Sequence, residues 1–281
     1  MQLFPVSEHV KYEGFSGSRG PSPGLWGRLK ASSVRSFGFY VGDDFIHANP
    51  AFSSGAAGWQ GPEGLWYKGF GSTGTSNVAG ALVAPSDDVV PAGEIQFTIP
   101  LTGQECYLTL DEGKTGAFAV AKPGLMEFVF EAMVSFGHVG SGSDALGKAV
   151  GLRAKGGAAT GSMTSTGDVA SQPFIGFRAK HANGDRLDAV YASTGGVVEH
   201  YVGTSADGMI LSANTYVKLG LRFDGKKLYY YVNGKQVASG VLTTATNFPV
   251  GKPLVPFVGG ISAGATSKTF KIDWLAFGRV E

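Results

Sequence analysis

"YVKLGLRFDGKKLYYYVNGKQVASG", residues 216–240, is the stretch whose reading decides the fold. Asp224-Gly225 and Asn233-Gly234 are dipeptides that adopt positive φ at small cost, as two-residue hairpin turns require. The stretch therefore predicts three consecutive antiparallel strands, 216–223, 226–232 and 235–239. Turns placed on those dipeptides set Phe223 opposite Lys226, Leu221 opposite Leu228 and Leu219 opposite Tyr230. Across the second turn Val232 faces Lys235, and Tyr230 faces Val237. One face then carries Val217, Leu219, Leu221, Phe223, Leu228, Tyr230, Val232 and Val237, and reads as core. The other carries Lys218, Arg222, Lys227, Tyr229, Tyr231 and Gln236. Side chains alternate with period 2, so a slip of one residue would exchange the two sets and is resisted.

Tyr230 is thus a core tyrosine, whereas Tyr229 and Tyr231 form an outward aromatic strip edged by Lys218, Arg222 and Gln236. Such a strip has three uses. Cross-strand packing of rings against lysine stems stabilises a sheet by a few tenths to about 1 kcal/mol per pair. Tyr and Arg are also favoured at protein interfaces, and tyrosine faces can stack on sugars. Trp59 and Trp66 are further candidate stacking platforms.

Outward from this stretch the chain keeps alternating strand and turn. Strand candidates are 37–41, 94–100, 105–110, 116–121, 149–154, 173–180, 187–193, 197–203, 254–262 and 268–278. The longest, "LMEFVFEAMVSF" (125–136), places Met126, Phe128, Phe130, Ala132, Val134 and Phe136 on one wholly apolar face that must be buried. Leu125, Glu127, Val129, Glu131, Met133 and Ser135 lie on the other. Segments 137–147 and 155–172 are rich in Gly, Ser, Thr and Ala and read as loops. No amphipathic helix and no fixed-length repeat is visible. Many short strands separated by turn signals predict an all-β, two-sheet antiparallel β-sandwich or jelly roll.

Composition narrows the function. The chain has 281 residues, 23 Lys plus Arg against 22 Asp plus Glu, and a formal charge of +1. That balance offers nothing to nucleic acid or an anionic membrane surface. The single cysteine, Cys106, sits in an alternating apolar strand and reads as a small buried hydrophobe. No Cys/His cluster has zinc-ligand spacing. The opening "MQLFPVSEHVKYEG" lacks the basic end and apolar run of a secretory signal, and no apolar stretch approaches the roughly 20 residues of a membrane span. Together these predict a soluble protein that matures in a reducing compartment.

Residues 1–36 differ from the rest. Pro21 and Pro23 stand among glycines and serines, and five basic residues (Lys11, Arg19, Arg28, Lys30, Arg35) face two acidic ones. Without periodicity, and with Pro and Gly opposing both ladder and helix, the segment predicts an extended N-terminal arm ahead of a domain at 37–281. Phe4, Phe15, Leu25 and Trp26 are costly to leave in water, so the arm is expected to anchor on a partner through them and Arg28.

Catalytic patterns are sparse. Glu127 and Glu131 share a strand face, but four residues at about 3.3 Å each separate them by roughly 13 Å. Retaining glycosidases need about 5–5.5 Å and inverting ones about 6.5–9.5 Å. The E-x-D-x-x-E strand of laminarinase-type hydrolases is missing, and the glutamates read as an outward polar edge. His9, His47, His138, His181 and His200 lie beside no nucleophile motif. The paired aspartates of "GDDF" (42–45) and "SDDVV" (86–90) do not follow EF-hand spacing and read as turn residues. "GKTG" (113–116) is too short for a phosphate loop.

The order "FGFYVGDDF", "LMEFVFEAMVSF", "YVKLGLRFDGKKLYYYVNGKQVA" and terminal "FKIDWLAFG" resembles the concanavalin A-like lectin/glucanase (laminin-G-like) jelly roll over about 37–281. More narrowly, it is similar to bacteriophage virion proteins built on that jelly roll. The resemblance implies a non-enzymatic virion structural protein, a capsid decoration or cement subunit made in the host cytoplasm. It implies binding to the major capsid protein or other shell subunits, in a homo-oligomer such as a trimer, with no cofactor or metal. The alternative is a glycan-binding module that adheres to host sugars through the exposed aromatics; a glycosidase ranks third.

Overall fold

The computed structural model describes residues 21–26, 38–43, 59–60, 66–71, 80–83, 94–99, 102–110, 119–154 and 163–280. Among them one four-residue helix, α1 (Pro23–Trp26), precedes eighteen strands. In chain order these are β1 (Gly38–Asp43), β2 (Trp59–Gln60), β3 (Trp66–Gly71), β4 (Gly80–Val83), β5 (Glu94–Ile99) and β6 (Glu105–Leu110). Next come β7 (Ala119–Val120), β8 (Glu127–Phe136), β9 (Leu146–Ala154), β10 (Phe174–Ala179), β11 (Asp188–Ser193) and β12 (Gly196–Val202). The last are β13 (Tyr216–Phe223), β14 (Lys227–Val232), β15 (Lys235–Gln236), β16 (Val241–Leu242), β17 (Pro253–Ser262) and β18 (Lys268–Val280).

The strands form two antiparallel sheets. The first runs β15-β14-β13-β8-β18-β5-β4, with β1 on the later half of β18 and β16 on β14. The second runs β12-β11-β10-β9-β17-β6-β3-β2, with β7 on β17. This is the expected all-β sandwich. Phe128, Phe130, Val134 and Phe136 of β8 fill the space between the sheets, meeting Val150, Leu152, Phe177, Val258 and the buried Cys106. No helix of the described residues is long and apolar enough to cross a membrane.

The 216–240 stretch forms the predicted meander, with one shift in register. β13 and β14 pair Phe223 with Leu228 and Leu221 with Tyr230, so the turn centres on Gly225 and Lys226 and not on Asp224 and Gly225. Gly225 takes φ +83°, which suits glycine at the first central position of a type II′ turn. Asp224 steps back into the flank, where its carboxylate accepts the amides of Lys226 (2.9 Å) and Lys227 (2.8 Å). Each partner moves by two, an even number, so both faces keep their residues. The second turn is as expected: Asn233 and Gly234 both have positive φ, and Val232 faces Lys235. Val217, Leu219, Leu221, Phe223, Leu228, Tyr230 and Val232 are all buried. Tyr230 crosses the core, its hydroxyl donating to the Val190 carbonyl of the other sheet (2.8 Å) and its ring meeting Phe177 edge-on at 5.6 Å.

Candidate functional site

The outer face of the first sheet collects the predicted strip, but it is not bare. Leu25 of α1 is 0% exposed, seated against Val129 and Tyr231, with Trp26 and Tyr229 beside it. Trp26 also covers Met133, Trp274 and Ala276. Pro23 begins this short helix, where a missing N–H and a preset φ cost least. The Ser22 carbonyl accepts the amides of Leu25 and Trp26, both at 3.0 Å. Two glycines make room: a Cβ on Gly220 would stand 2.5 Å from Leu25 Cδ2, and one on Gly234 would stand 2.9 Å from Ser22 Oγ.

Glu131 forms the floor of this joint. Its Oε2 accepts the Ser22 amide (2.9 Å) and the Trp26 indole Nε1–H (2.7 Å). Its Oε1 and the Ser22 Oγ are both buried in the same joint. Burial pushes the Glu131 carboxyl above its usual range, against the pull of the Ser22 and Trp26 bonds and the charge of Lys218. Docking of the segment is therefore strongest below the ordinary carboxylate pKa and weakens as pH rises through the raised value.

Three expectations change here. Tyr231, expected outward, is only 2% exposed because Leu25 lies on it. Glu131, expected at a solvated polar edge, is fully buried beneath the same segment. Leu25 and Trp26, expected to bind a partner, are held by the chain's own sheet. Alternation on a strand tells which face a residue takes, but not whether a distant segment covers that face. Tyr229 remains half-buried, with the Arg222 guanidinium 5.7 Å from its ring centroid and its hydroxyl donating to Asp224 (3.1 Å). Burial and the Asp224 bond push the Tyr229 phenol up. Burial works to raise the Asp224 carboxyl, but the Lys227 and Lys226 amides outweigh it and hold it low. Lys218 donates its amide to Asn233 Oδ1 (3.0 Å), and exposed Gln236 donates Nε2 to the Ala238 carbonyl (2.8 Å). Phe4, Phe15 and Arg28 lie outside the described residues. Trp59 and Trp66 stand on β2 and β3, at the rim of the second sheet.

Gly220→Ala tests the joint. The added methyl meets Leu25 and should lift α1, leaving the sandwich folded while Trp26 fluorescence shifts toward that of a solvated indole. Glu131→Gln should keep Trp26 amide protection nearly constant between acid and alkaline pH, where the native chain loses protection as pH rises. Equal pH dependence in the two proteins would separate Glu131 from the docking.

On the outer face of the second sheet, β10 is bound by a cluster of ions. Arg178 on β10, 2% exposed in its side chain, is held by Asp168 and Glu199, and Lys180 joins both carboxylates at 3.5 and 3.0 Å. The Lys180 bond is the largest influence holding the Glu199 carboxyl low. Asp168 belongs to the turn between Met163 and Val169, and both of those residues pack on Tyr107, Phe174, Val190 and Phe257. Arg153 of β9 lies over the rings of Tyr107 (4.6 Å) and Phe257 (5.0 Å). Nearby, Arg186 pairs with buried Asp188 (3.1 Å), and Glu105 Oε2 accepts the Met163 amide (3.3 Å).

A third group lies at one end of the sandwich. Lys148 points into the core and donates to the carbonyls of Leu146 (2.7 Å) and Gly184 (2.5 Å). Burial lowers its pKa to about 7, opposed by Asp185. His181 beside it and His138 are both lowered, chiefly by burial. No group of three or more His, Cys, Asp or Glu among the described residues could hold a metal ion.

No protein-family model and no curated protein sequence matches the chain. Solved structures do. Peanut lectin is 14% identical, covering 88% of this chain and 99% of the lectin, with a TM-score of 0.50. A family 16 glycosyl hydrolase from Mycobacterium smegmatis is 12% identical over 84% of this chain and 98% of its own, at 0.47. Alginate lyase A1-II′ of polysaccharide lyase family 7 is 11% identical over 75% and 93%, at 0.48. The architecture is the concanavalin A-like jelly roll, the fold it shares with peanut lectin.

Proposed function

We propose that this chain is a non-enzymatic structural subunit, a bacteriophage virion protein that decorates or cements the capsid. The supporting observation is how its described outer surfaces are used. Where a glycoside-hydrolysing jelly roll needs free carboxyl groups around an open face, Glu131 is capped by α1, and Asp168, Glu199, Asp188 and Glu105 are bound to neighbouring basic groups or amides. Carboxylates tied up in this way suit a scaffold better than a hydrolytic centre. The sequence resemblance to phage virion proteins supplies the setting, with a homo-oligomer on major capsid protein or other shell subunits.

Anchoring falls to parts of the leader other than Ser22–Trp26, so a useful truncation stops before Ser22 and leaves α1 in place. The full chain should co-sediment saturably with capsids, and deletion of residues 1–21, which carry Phe4 and Phe15, should abolish most of it. Failure of the full chain to bind would defeat the reading; undiminished binding of the truncated chain would remove the anchor. Incubation with alginate and β-glucans should yield no new reducing or unsaturated ends, and cleavage of either would make the chain an enzyme.

The glycan-binding reading loses Tyr231 as a platform and keeps Tyr229. Saturable binding on a glycan array, lost in Tyr229→Ala, would favour it over the capsid.

A further inference from the structure

One end of the sandwich gathers charge that the chain as a whole conceals. Three connections meet there: 121–126 between β7 and β8, the β13–β14 hairpin at 224–226, and 243–252 between β16 and β17. They are tied to one another. The Gly124 amide donates to the Gly225 carbonyl (3.2 Å), and the Gly251 amide to the Ala121 carbonyl (3.4 Å). Leu242 of β16 lies opposite Lys227 of β14, beside the same hairpin.

Lys122, Lys226 and Lys252 are exposed on these connections, with Lys227 half-buried next to them. None of the four forms an ion pair with a described acid. Asp224 is engaged by the amides of its own hairpin and by the Tyr229 hydroxyl, and Glu127 opens β8 beneath that hairpin. Positive charge is therefore in excess among the described residues of this end. Apolar surface is concentrated there too. Five large apolar side chains are exposed among the described residues, and three of them, Leu125 (46%), Leu242 (51%) and Val250 (45%), are at this end. The neighbouring Met126, Val241 and Phe248 turn into the core, which leaves these three facing outward.

The pairing of lysine with aliphatic tips separates two kinds of partner. The buried centre of a protein interface favours Tyr, Trp, Met and Arg and is depleted of Lys. An anionic bilayer draws lysines to its headgroups, lets their stems lie along apolar surface, and accepts aliphatic side chains at the acyl boundary. Stable attachment takes both signals, and one surface here supplies both.

We propose that this end of the sandwich is a peripheral docking surface for an anionic phospholipid bilayer. Leu125, Leu242 and Val250 enter the boundary between headgroups and acyl chains, while the four lysines meet acidic headgroups. The sandwich then stands upright, its opposite end held in water. The net charge of +1 spoke against such an affinity because an average over 281 residues does not register four lysines on linked connections. The surface goes beyond the capsid reading and stands without it.

The full chain should co-sediment saturably with phosphatidylserine–phosphatidylcholine vesicles at low salt and be released at high salt. Vesicles of phosphatidylcholine alone should bind it many-fold more weakly. Each of Lys122→Gln, Lys226→Gln and Lys252→Gln should cost about fivefold in affinity for the anionic vesicles. Leu125→Gln, Leu242→Gln and Val250→Gln together should abolish most of the binding, and these exposed changes should leave the denaturation midpoint where it was. A polarity-sensitive dye on Leu242→Cys should shift to the blue on anionic vesicles, because native Cys106 is buried and does not take the label. The same dye on Ala213→Cys, at the opposite end beside Phe136, should not shift. No binding of the native chain to anionic vesicles at low salt, or no loss in the aliphatic variant, would overturn the proposal. Soluble polyglutamate that binds as tightly as vesicles, indifferent to the aliphatic changes, would assign the surface to an acidic polypeptide and overturn it as well.

Discussion

Replacing Asp168 and Glu199 together by alanine should destabilise the protein by about 3–5 kcal/mol, the usual cost of stranding a buried charge. The asymmetry of the cluster is the reason. Arg178 is 2% exposed in its side chain, whereas Asp168 and Glu199 are 22% and 38% exposed and can turn toward water. Removing both acids leaves a guanidinium with no anion and almost no solvent. Arg178→Met instead leaves two carboxylates that keep Lys180 and water, and it should cost less. Each acid alone should be milder still, because the other continues to neutralise Arg178, so the double change should exceed the sum of the single ones. The 163–169 turn would also lose its attachment, exposing Phe174, Val190 and Phe257 to dye and the turn to protease. Chemical denaturation of the four variants checks the order. A double variant no less stable than Arg178→Met would mean that the acids contribute little.

What the sequence made legible follows the reach of its signals. Alternation over β8, β9, β10, β11, β13, β17 and β18 identified those strands within a few residues, because one face of each is buried and the pattern of two is enforced by packing. The short strands β2, β4 and β16 carried no such signal; two to four residues cannot show a period. The first hairpin turn moved one position because Asp224 accepts the amides of Lys226 and Lys227, a side-chain bond that competes with the simple Asp-Gly turn. The site was less legible than the fold. Tyr229, Arg222 and Lys218 share a face as expected, but the cover over Tyr231 and Glu131 comes from residues more than a hundred positions away. Leu25 and Trp26 carried the right signal, apolar side chains too costly to leave in water, and their occupant was one sheet of the same molecule. Arg178 with Asp168 and Glu199 was missed altogether. Nothing in a local pattern distinguishes a strand arginine bound for solvent from one clamped between a turn and an edge strand.

Stability should rise with pH across the neutral to mildly alkaline range, and Lys148 is the cause. Burial lowers its pKa from 10.5 to about 7, while in the unfolded chain it stays near the ordinary lysine value. Below about pH 7 both states hold the proton and pH has no effect through this group. Above it, the folded amine is neutral and the unfolded one is charged, so the unfolded state binds more protons and stability climbs by roughly 1.4 kcal/mol per pH unit. The gain continues until the unfolded amine itself titrates. The window from about pH 7 to 8.5 lies well below the titration of the unfolded amine. Within that window the expected gain is about 2 kcal/mol. The histidines do not imitate it: His138 and His181 are held below their ordinary value, so their contribution is complete by the time pH reaches about 7. Glu131, raised by burial, pulls the other way from a lower starting pH. Lys148→Met isolates the effect, because it removes the amine and leaves every other titrating group in place. Its midpoint of denaturation should be almost flat from pH 7 to 8.5, while the native protein's rises. Near pH 7 the two proteins should differ least, since the variant escapes the cost of burying the amine but strands the carbonyls of Leu146 and Gly184. Parallel pH profiles for native and variant chains would show that Lys148 does not lose its proton in the folded protein.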